Sequence, residues 1–462
     1  MASSTVHLPT EVTELVIDEL DVDGSSVDAK NSHAALRSCL FVSRQFHQRA
    51  RSHLFRNIVL HDVYRRILLF RNRLILLGHL LTTSINDHDP GIVSNIRELT
   101  ISVTFGDDEE DSDDETEHVG GGEEENSIAR VIAKHFPPIL RLIKQYAHRL
   151  ENLVIEDTSN WFGCEWDLLP LDLILVLRGL LSTPTLRRLE FRNFVCVPDN
   201  LFDSVHVTHL VVEGLYPKDE EVEFDGSNPV PPFDKEFICG PLEFLQTDQC
   251  FPLQRIVDIS AHQSADTTKT KLLKKIRLEI HDKIHFTKVV CILRAASLAE
   301  DLHLDFMKHA LDNLNPSPKM NLDLFPLQKL TRLTMSYDED LDSSSLESGP
   351  KSREIAYSIL KSRSCSIMYL TLEFNFEIPN IASTPDYLIY PTREHWGPFD
   401  NILAGPHYPK LCLLVLRITL DLHGWGSSPS VQTAIENCRN RFAAALPLLS
   451  ASNRLCLYLL II

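Results

Sequence analysis

Histidines and carboxylates at short spacing are the first places to look for chemistry in this chain. His281 and His285 stand four apart, a separation that puts two imidazoles on one side of a helix. No His-Glu-x-x-His arrangement exists, however, and Leu278-Glu279-Ile280 just before them alternates like a strand, so they read as solvated loop histidines. His303 and Asp305 flank Leu304 and share one strand face, which is expected to meet solvent. The sequence holds no Gly-x-Ser-x-Gly elbow, no phosphate-cradling glycine loop and no Gly-x-Gly-x-x-Gly, and Gly120 to Gly122 sit among carboxylates that repel phosphate. Ten cysteines are scattered with no Cys-x-x-Cys pair, the usage of reduced, mostly buried thiols in a cytoplasmic or nuclear protein. Nothing here points to catalysis, a metal or a cofactor, and the chain reads as a non-enzyme.

Two features point to regulation or binding. Ser112 precedes Asp113-Asp114-Glu115, the acidic context that acidophilic kinases prefer, and is a candidate phosphosite beside the plainer reading of a solvated linker. The cluster from Trp161 to Trp166 either anchors a partner or packs beneath a neighbouring helix.

The net charge of −19 is concentrated rather than spread. Residues 107–125 hold twelve carboxylates in nineteen positions, and without them the chain carries −7, an ordinary soluble surface. Such a self-repelling, glycine-bearing stretch is expected to be a disordered loop, set at 107–126. Its field disfavours nucleic acid, and no basic patch compensates. No run of eighteen apolar residues spans a membrane, and the first residues lack the basic-then-apolar layout of a signal peptide.

The elements that would position any site repeat a weak theme, Leu-x-x-Leu-x-Leu with apolar substitutes. It begins at Ile96, Leu150, Leu186, Val207, Leu273, Leu330, Ile367 and Leu413, more weakly at Ala299, and closes with Leu455-Cys456-Leu457-Tyr458-Leu459 as a last buried strand. The alternation ending each unit is a strand with one buried face, and the leading apolar residue packs at the turn entering it. Helical stretches lie between, at Ile139 to His148, Leu171 to Leu181, Phe286 to Ala296, Ser352 to Ser362 and Val431 to Leu449. Strand, connection and helix in repetition is the layout of a leucine-rich-repeat solenoid. Spacing between units runs from 21 residues (Leu189 to Leu210) to 54 (Leu99 to Leu153), and each unit lacks the Asn or Cys that normally satisfies the turn after the strand. An ordinary α/β domain with a parallel sheet is the alternative.

The first sixty residues are different. Pro9 fits a first helical turn, and Val12, Leu15, Val16 and Leu20 make one apolar stripe after it. A polar stretch from Asp21 leads to Asn31 or Ser32, either of which can cap a second helix with Leu36, Cys39, Leu40, Ser43 and Phe46 on one side. The chain is then expected to turn between Arg44 and Arg51 and to become extended at Asn57-Ile58-Val59-Leu60. Leu8-Pro9, Leu36-x-x-Cys39-x-x-Val42-x-Arg44 and Arg51-x-x-Leu54-Phe55 together resemble the F-box of ubiquitin-ligase substrate adaptors, in the form common in mushroom-forming fungi.

That resemblance covers about an eighth of the chain. It implies that Leu8, Pro9, Val12, Leu36, Val42 and Phe46 dock the small linker subunit of an SCF ligase, and through it the cullin. The fold expected is α/β: a three-helix F-box at 1–60, a connecting helix and first repeat at 61–106, the acidic loop, and an irregular leucine-rich-repeat-like domain at 127–462 that binds a protein substrate. A repeat scaffold unrelated to ubiquitination, its first helices a cap, is the rival.

Overall fold

The computed structural model describes Leu15, Ile17 and residues 27–62, 67–83, 91–105, 128–159, 163–198, 200–202, 205–217, 242–248, 273–308, 310, 322, 324, 326–340, 351–361, 366–378, 393–422 and 429–461. The fold is mixed α/β with parallel sheet pairing throughout. The chain divides into two compact units, Met1–Val207 with Gly214–Asn228, and Thr208–Glu213 with Pro229–Ile462.

In the first unit, helices α1 (Val27–Cys39) and α2 (Arg44–Leu54) precede β1 (Asn57–His61). Neither end of the first pair falls where the sequence suggested. Helix α1 starts before Asn31 and stops at Cys39, because Ser43 is itself a cap whose hydroxyl accepts the Phe46 N–H and starts α2. Arg44 to Arg51, read as a turn, is therefore helix. The unit continues through α3 (Ile67–Thr83), β2 (Glu98–Val103), α4 (Ile128–Tyr146), β3 (Asn152–Asp157), β4 (Cys164–Glu165), α5 (Leu171–Leu181) and β5 (Arg188–Val197). Helix α4 begins eleven residues before the expected Ile139 and runs through Pro137 and Pro138. The lost hydrogen bonds are offset by packing: Val131, Ile132, Phe136, Ile139, Leu140 and Ile143 are buried, and the Phe136 ring stands edge-on to Phe70 and Phe105.

Strand β6 (His209–Pro217) belongs to the second unit as far as Glu213, and that unit also carries β7 (Phe244–Thr247), β8 (Lys275–Ile280), α6 (Lys283–Ala295), β9 (Asp301–Phe306), β10 (Arg332–Asp340), α7 (Lys351–Lys361), β11 (Tyr369–Ile378), α8 (Arg393–Ala404), β12 (Leu413–Leu422), α9 (Pro429–Ala445), α10 (Pro447–Ala451) and β13 (Leu455–Ile461). Each strand from β7 onward pairs in parallel with the one before it in the chain. Their inward residues stack in continuous columns, and one column carries the rings of Phe306, Tyr337 and Phe374 at 4.8 and 5.2 Å. Trp396 of α8 closes over Phe374 and meets Phe442 of α9.

One backbone device sets the register. In the first unit the Arg56 carbonyl accepts the N–H groups of Arg97 (2.8 Å) and Glu98 (3.1 Å), Arg97 accepts Glu151 and Asn152, and Glu151 accepts Arg187 and Arg188. In the second unit the carbonyls of Thr208, Glu243, Lys274, Glu300, Thr331 and Met368 each take two N–H groups from the next strand entry in the same way. The residue before each entry is buried, including Ile96, Leu150, Leu186, Leu273, Ala299, Leu330 and Ile367, as the repeated leading position predicts.

The ladder also corrects the series. The unit placed at Leu413-Leu416-Ile418 is set at Leu411-Leu414-Leu416, since Leu413 pairs beside Tyr369 and Leu414 beside Leu370. Strand β12 has three inward apolar residues, so alternation alone allowed either reading. A unit at Leu242-Leu245-Thr247 was missed because its third inward position is a buried threonine. The last strand is half-buried rather than buried, with Tyr458 and Leu460 more than half exposed.

Carboxylates take the place of the absent turn Asn. Asp62 accepts the Thr104 N–H at 2.9 Å, and the fully buried Asp157 accepts the Phe105 N–H at 2.8 Å and the Ser159 hydroxyl. In the second unit Glu339 accepts the first two N–H groups of α7, from Lys351 and Ser352, and Asp400 accepts those of Leu448 and Leu449 in α10.

Burial raises the Asp157 carboxyl above its ordinary 3.8, against the pull of its hydrogen bonds. The folded state therefore holds its proton more tightly than the unfolded one. The stability this residue contributes is complete below the ordinary value and is lost as pH rises through the raised one. Asp157→Asn, which keeps the acceptor and sheds the charge, is expected to remove that dependence. Asp157→Ala is expected to cost about 1–3 kcal/mol by orphaning the Phe105 N–H. Urea midpoints measured across pH for both variants check this.

Candidate functional site

Helices pack onto the inward side of the second unit's sheet, α6 on β8, α7 on β10 and α9 on β13. The alternate residues of the strands face away from that core and are mostly polar and only part-buried. Sequential strand order explains the one-sidedness: crossovers of one hand, repeated without reversal, lay every helix on the same face. The other face of the sheet presents a row of polar side chains.

Its central row follows the third inward residue of each repeat: Glu279, Asp305, Ser336, Glu373, Arg417 and Tyr458 stand side by side. His303 Nε2 lies 2.8 Å from Asp305 Oδ1 and 3.2 Å from Ser336 Oγ. The Ser336 hydroxyl donates to Glu373 Oε2 at 3.3 Å, and Arg417 binds the other Glu373 oxygen at 2.7 Å. Arg277 Nε reaches Asp305 Oδ2 at 3.2 Å. His303 and Asp305 thus share a face as expected, but they are paired and largely shielded instead of solvated.

Serine, histidine and aspartate together invite a hydrolase reading, and the geometry refuses it. In a catalytic triad the carboxylate holds one imidazole nitrogen so that the other can take the serine proton. Here Asp305 and Ser336 both address the same nitrogen, and the serine proton is directed to Glu373. Ser336 has no base.

The other histidine pair is also structural. Asp282 N-caps α6, its carboxylate accepting the His285 N–H at 2.8 Å, and His285 Nδ1 accepts the His281 N–H at 3.2 Å. His285 is buried within the helix and is not the solvated loop residue expected, whereas His281 lies in the connection before it and is part-buried. The Glu279 carboxylate, 3.6 Å from His281 Nε2, raises the imidazole pKa while burial opposes it. Among the described residues no group of three His, Cys, Asp or Glu side chains is placed to hold a metal ion.

Of the tryptophan cluster, Trp161 and Phe162 lie outside the described residues, and Trp166 is buried against Phe191 and Phe194. The Cys164 thiol beside it is pushed by burial up to about 12, so it stays protonated and unreactive.

Of the residues assigned to linker-subunit docking, Leu8, Pro9 and Val12 lie outside the described residues, as does Ser112. Leu36 is buried with Ile17 and Ala50 in one small cluster, and Phe46 packs against its rim together with Cys39, Leu40 and Leu54. Val42 stands apart at 63% exposed, beside Phe41 at 88%. Phe41 is the residue the sequence reading passed over; its signal was an aromatic between two helices in a segment too short to bury it. Among the described residues no helix is long and apolar enough to cross a membrane.

No family model matches the chain, and no curated protein matches its sequence.

Burial works to raise the Asp305 carboxyl, but His303, Arg277 and Ser336 outweigh it and hold it below the ordinary 3.8. Its contribution to stability is present above that value and lost as pH falls through the lowered one. Asp305→Asn is expected to be less stable than the parent at neutral pH, the difference closing in acid. Denaturant midpoints at neutral and acidic pH measure it, and an unchanged gap sinks the assignment.

Proposed function

We propose that the chain is the substrate-recognition adaptor of an SCF-type cullin–RING ubiquitin ligase, built as an N-terminal F-box followed by an irregular leucine-rich-repeat-like solenoid. The observation that carries the reading is the F-box-like pattern ending at Phe55 and running at once into β1, the first strand of an in-register parallel sheet. The exposed Phe41-Val42 turn between two short helices supports it, since such a pair buries little core and an apolar residue left outside marks a partner surface. The sequential strand order and shared carbonyls support a solenoid over a doubly wound domain, whose strand order reverses at a switch point.

In this reading the chain does no bond chemistry. The N-terminal helices hold the linker subunit and through it the cullin, and the repeat domain holds a protein substrate. Joining the two raises the effective concentration of substrate lysines at the ubiquitin-carrying enzyme. Such an adaptor works in the cytoplasm or nucleus and needs no cofactor. Phosphorylation of Ser112 would deepen an already negative segment.

A scaffold outside any ligase, with the helices as a cap, is favoured by one detail: Leu36 is packed inside the helical cluster. Co-purification with the linker subunit decides between the two. The full chain is expected to bind it, and Phe41→Asp with Val42→Asp to lose binding while keeping its melting temperature. No binding by the well-folded parent sinks the adaptor reading.

A further inference from the structure

The last strand of the second unit is the reverse of an ordinary sheet edge. Exposed edges are normally guarded by charges, prolines or bulges that keep other strands away. Strands β8 to β12 each carry charged residues, whereas β13 has none in its seven positions, Leu455–Ile461. Among the described residues it pairs with β12 alone, and it stands last in the sheet. On its outward face Tyr458 and Leu460 are 53% and 55% exposed. On its inward face Leu455 and Leu457 are only part-buried, while Leu414 and Leu416 beside them in β12 are buried.

The backbone of β13 defines what this edge can take. The Arg454 carbonyl accepts the Leu414 N–H at 2.7 Å and begins the ladder to β12. Successive residues of a strand turn their N–H and C=O groups to opposite sides, so Cys456, Tyr458 and Leu460 address β12. Leu455, Leu457 and Leu459 therefore aim theirs at the open side, where only another extended strand can pair them.

A second copy of β13, running antiparallel, meets each of these demands. With Tyr458 opposite its own copy, Leu457 is opposite Leu459 and Cys456 is opposite Leu460. Tyr458, its backbone engaged with β12, falls at a non-hydrogen-bonded position with Cα atoms about 4.5 Å apart. Leu457 and Leu459 fall at hydrogen-bonded positions and exchange their open-side N–H and C=O groups. Opposed side chains point to the same side, so inward leucines meet inward leucines and no charge is covered.

We propose that the edge of β13 is a self-association site, at which two copies of this chain join their sheets antiparallel about a two-fold axis at Tyr458. The absence of charge selects this occupant, since a strand carrying the charges of β8 to β12 would desolvate them against leucine and tyrosine. The site does not rest on the adaptor reading.

Light scattering of the purified full chain after size exclusion tests it. The parent is expected to be a dimer, and Tyr458→Lys with Leu460→Lys a monomer, the dissociation constant rising more than about tenfold. Both side chains are more than half exposed, so the two lysines leave the core of each copy intact. A second variant reads the register and does not depend on the first one folding. Leu460→Cys sets a thiol opposite Cys456 of the second copy, and mild oxidation is expected to give a covalent dimer that Cys456→Ser abolishes. Within one chain the two positions lie about 13 Å apart along the strand, beyond the reach of a disulfide. A monomer throughout the micromolar range, growth beyond the dimer, a dimer indifferent to the lysines, or no bond joining positions 456 and 460 overturns the proposal. None of these outcomes depends on whether the chain binds the linker subunit.

Discussion

At nine strand entries among the described residues a single backbone carbonyl is shared by two N–H groups of the next strand, and this is the constraint on which the rest of this structure depends. A strand shifted by one residue turns every side chain to the opposite face. By fixing the entry, the shared carbonyl ensures that the leading apolar residue and the two inward residues after it fall in columns whatever the intervening chain does. Core and open face are two consequences of one register. The columns collect Leu, Ile, Phe and the stacked Phe306, Tyr337 and Phe374 inside, and the same alternation lines up Asp305, Ser336, Glu373 and Arg417 outside.

The polar groups inside the fold are disposed by the same economy. Asp157, Glu339 and Asp400 are buried carboxylates, and each accepts backbone N–H groups that a turn or helix start would otherwise leave unpaired. The constellation around His303 that mimics a catalytic site is tied off by Glu373 and Arg417.

Much of the repeat was legible in the sequence, because apolar period two and period 3.6 are local signals. Helix α5 was read to the residue, since Pro170 marks its start and Ser182-Thr183-Pro184 follows its end. Helix α4 was cut short because Pro137-Pro138 reads locally as a break, and only the burial of Phe136 and its neighbours explains why the helix continues. The unit at Leu242 was invisible because Thr247 broke the apolar pattern, and β12 was set two residues off because its inward apolar run fits two registers. Of the outward network only the shared face of His303 and Asp305 was legible. Its partners, such as Ser336 and Glu373 or Arg417 and Glu373, lie 37 and 44 residues apart, and nothing in a window of sequence joins them.

The shared carbonyl has a further consequence for how such a chain changes over generations. Because the register of each strand is set within the sheet, the connection to the next strand is free in length, and the cost of closing a longer loop grows only with the logarithm of its size. The spacing of 21 residues in one turn and 54 in another is then no irregularity to be repaired. It is the latitude of a design that can acquire, lengthen or discard inserts one turn at a time, altering what the molecule displays without renegotiating the core that displays it.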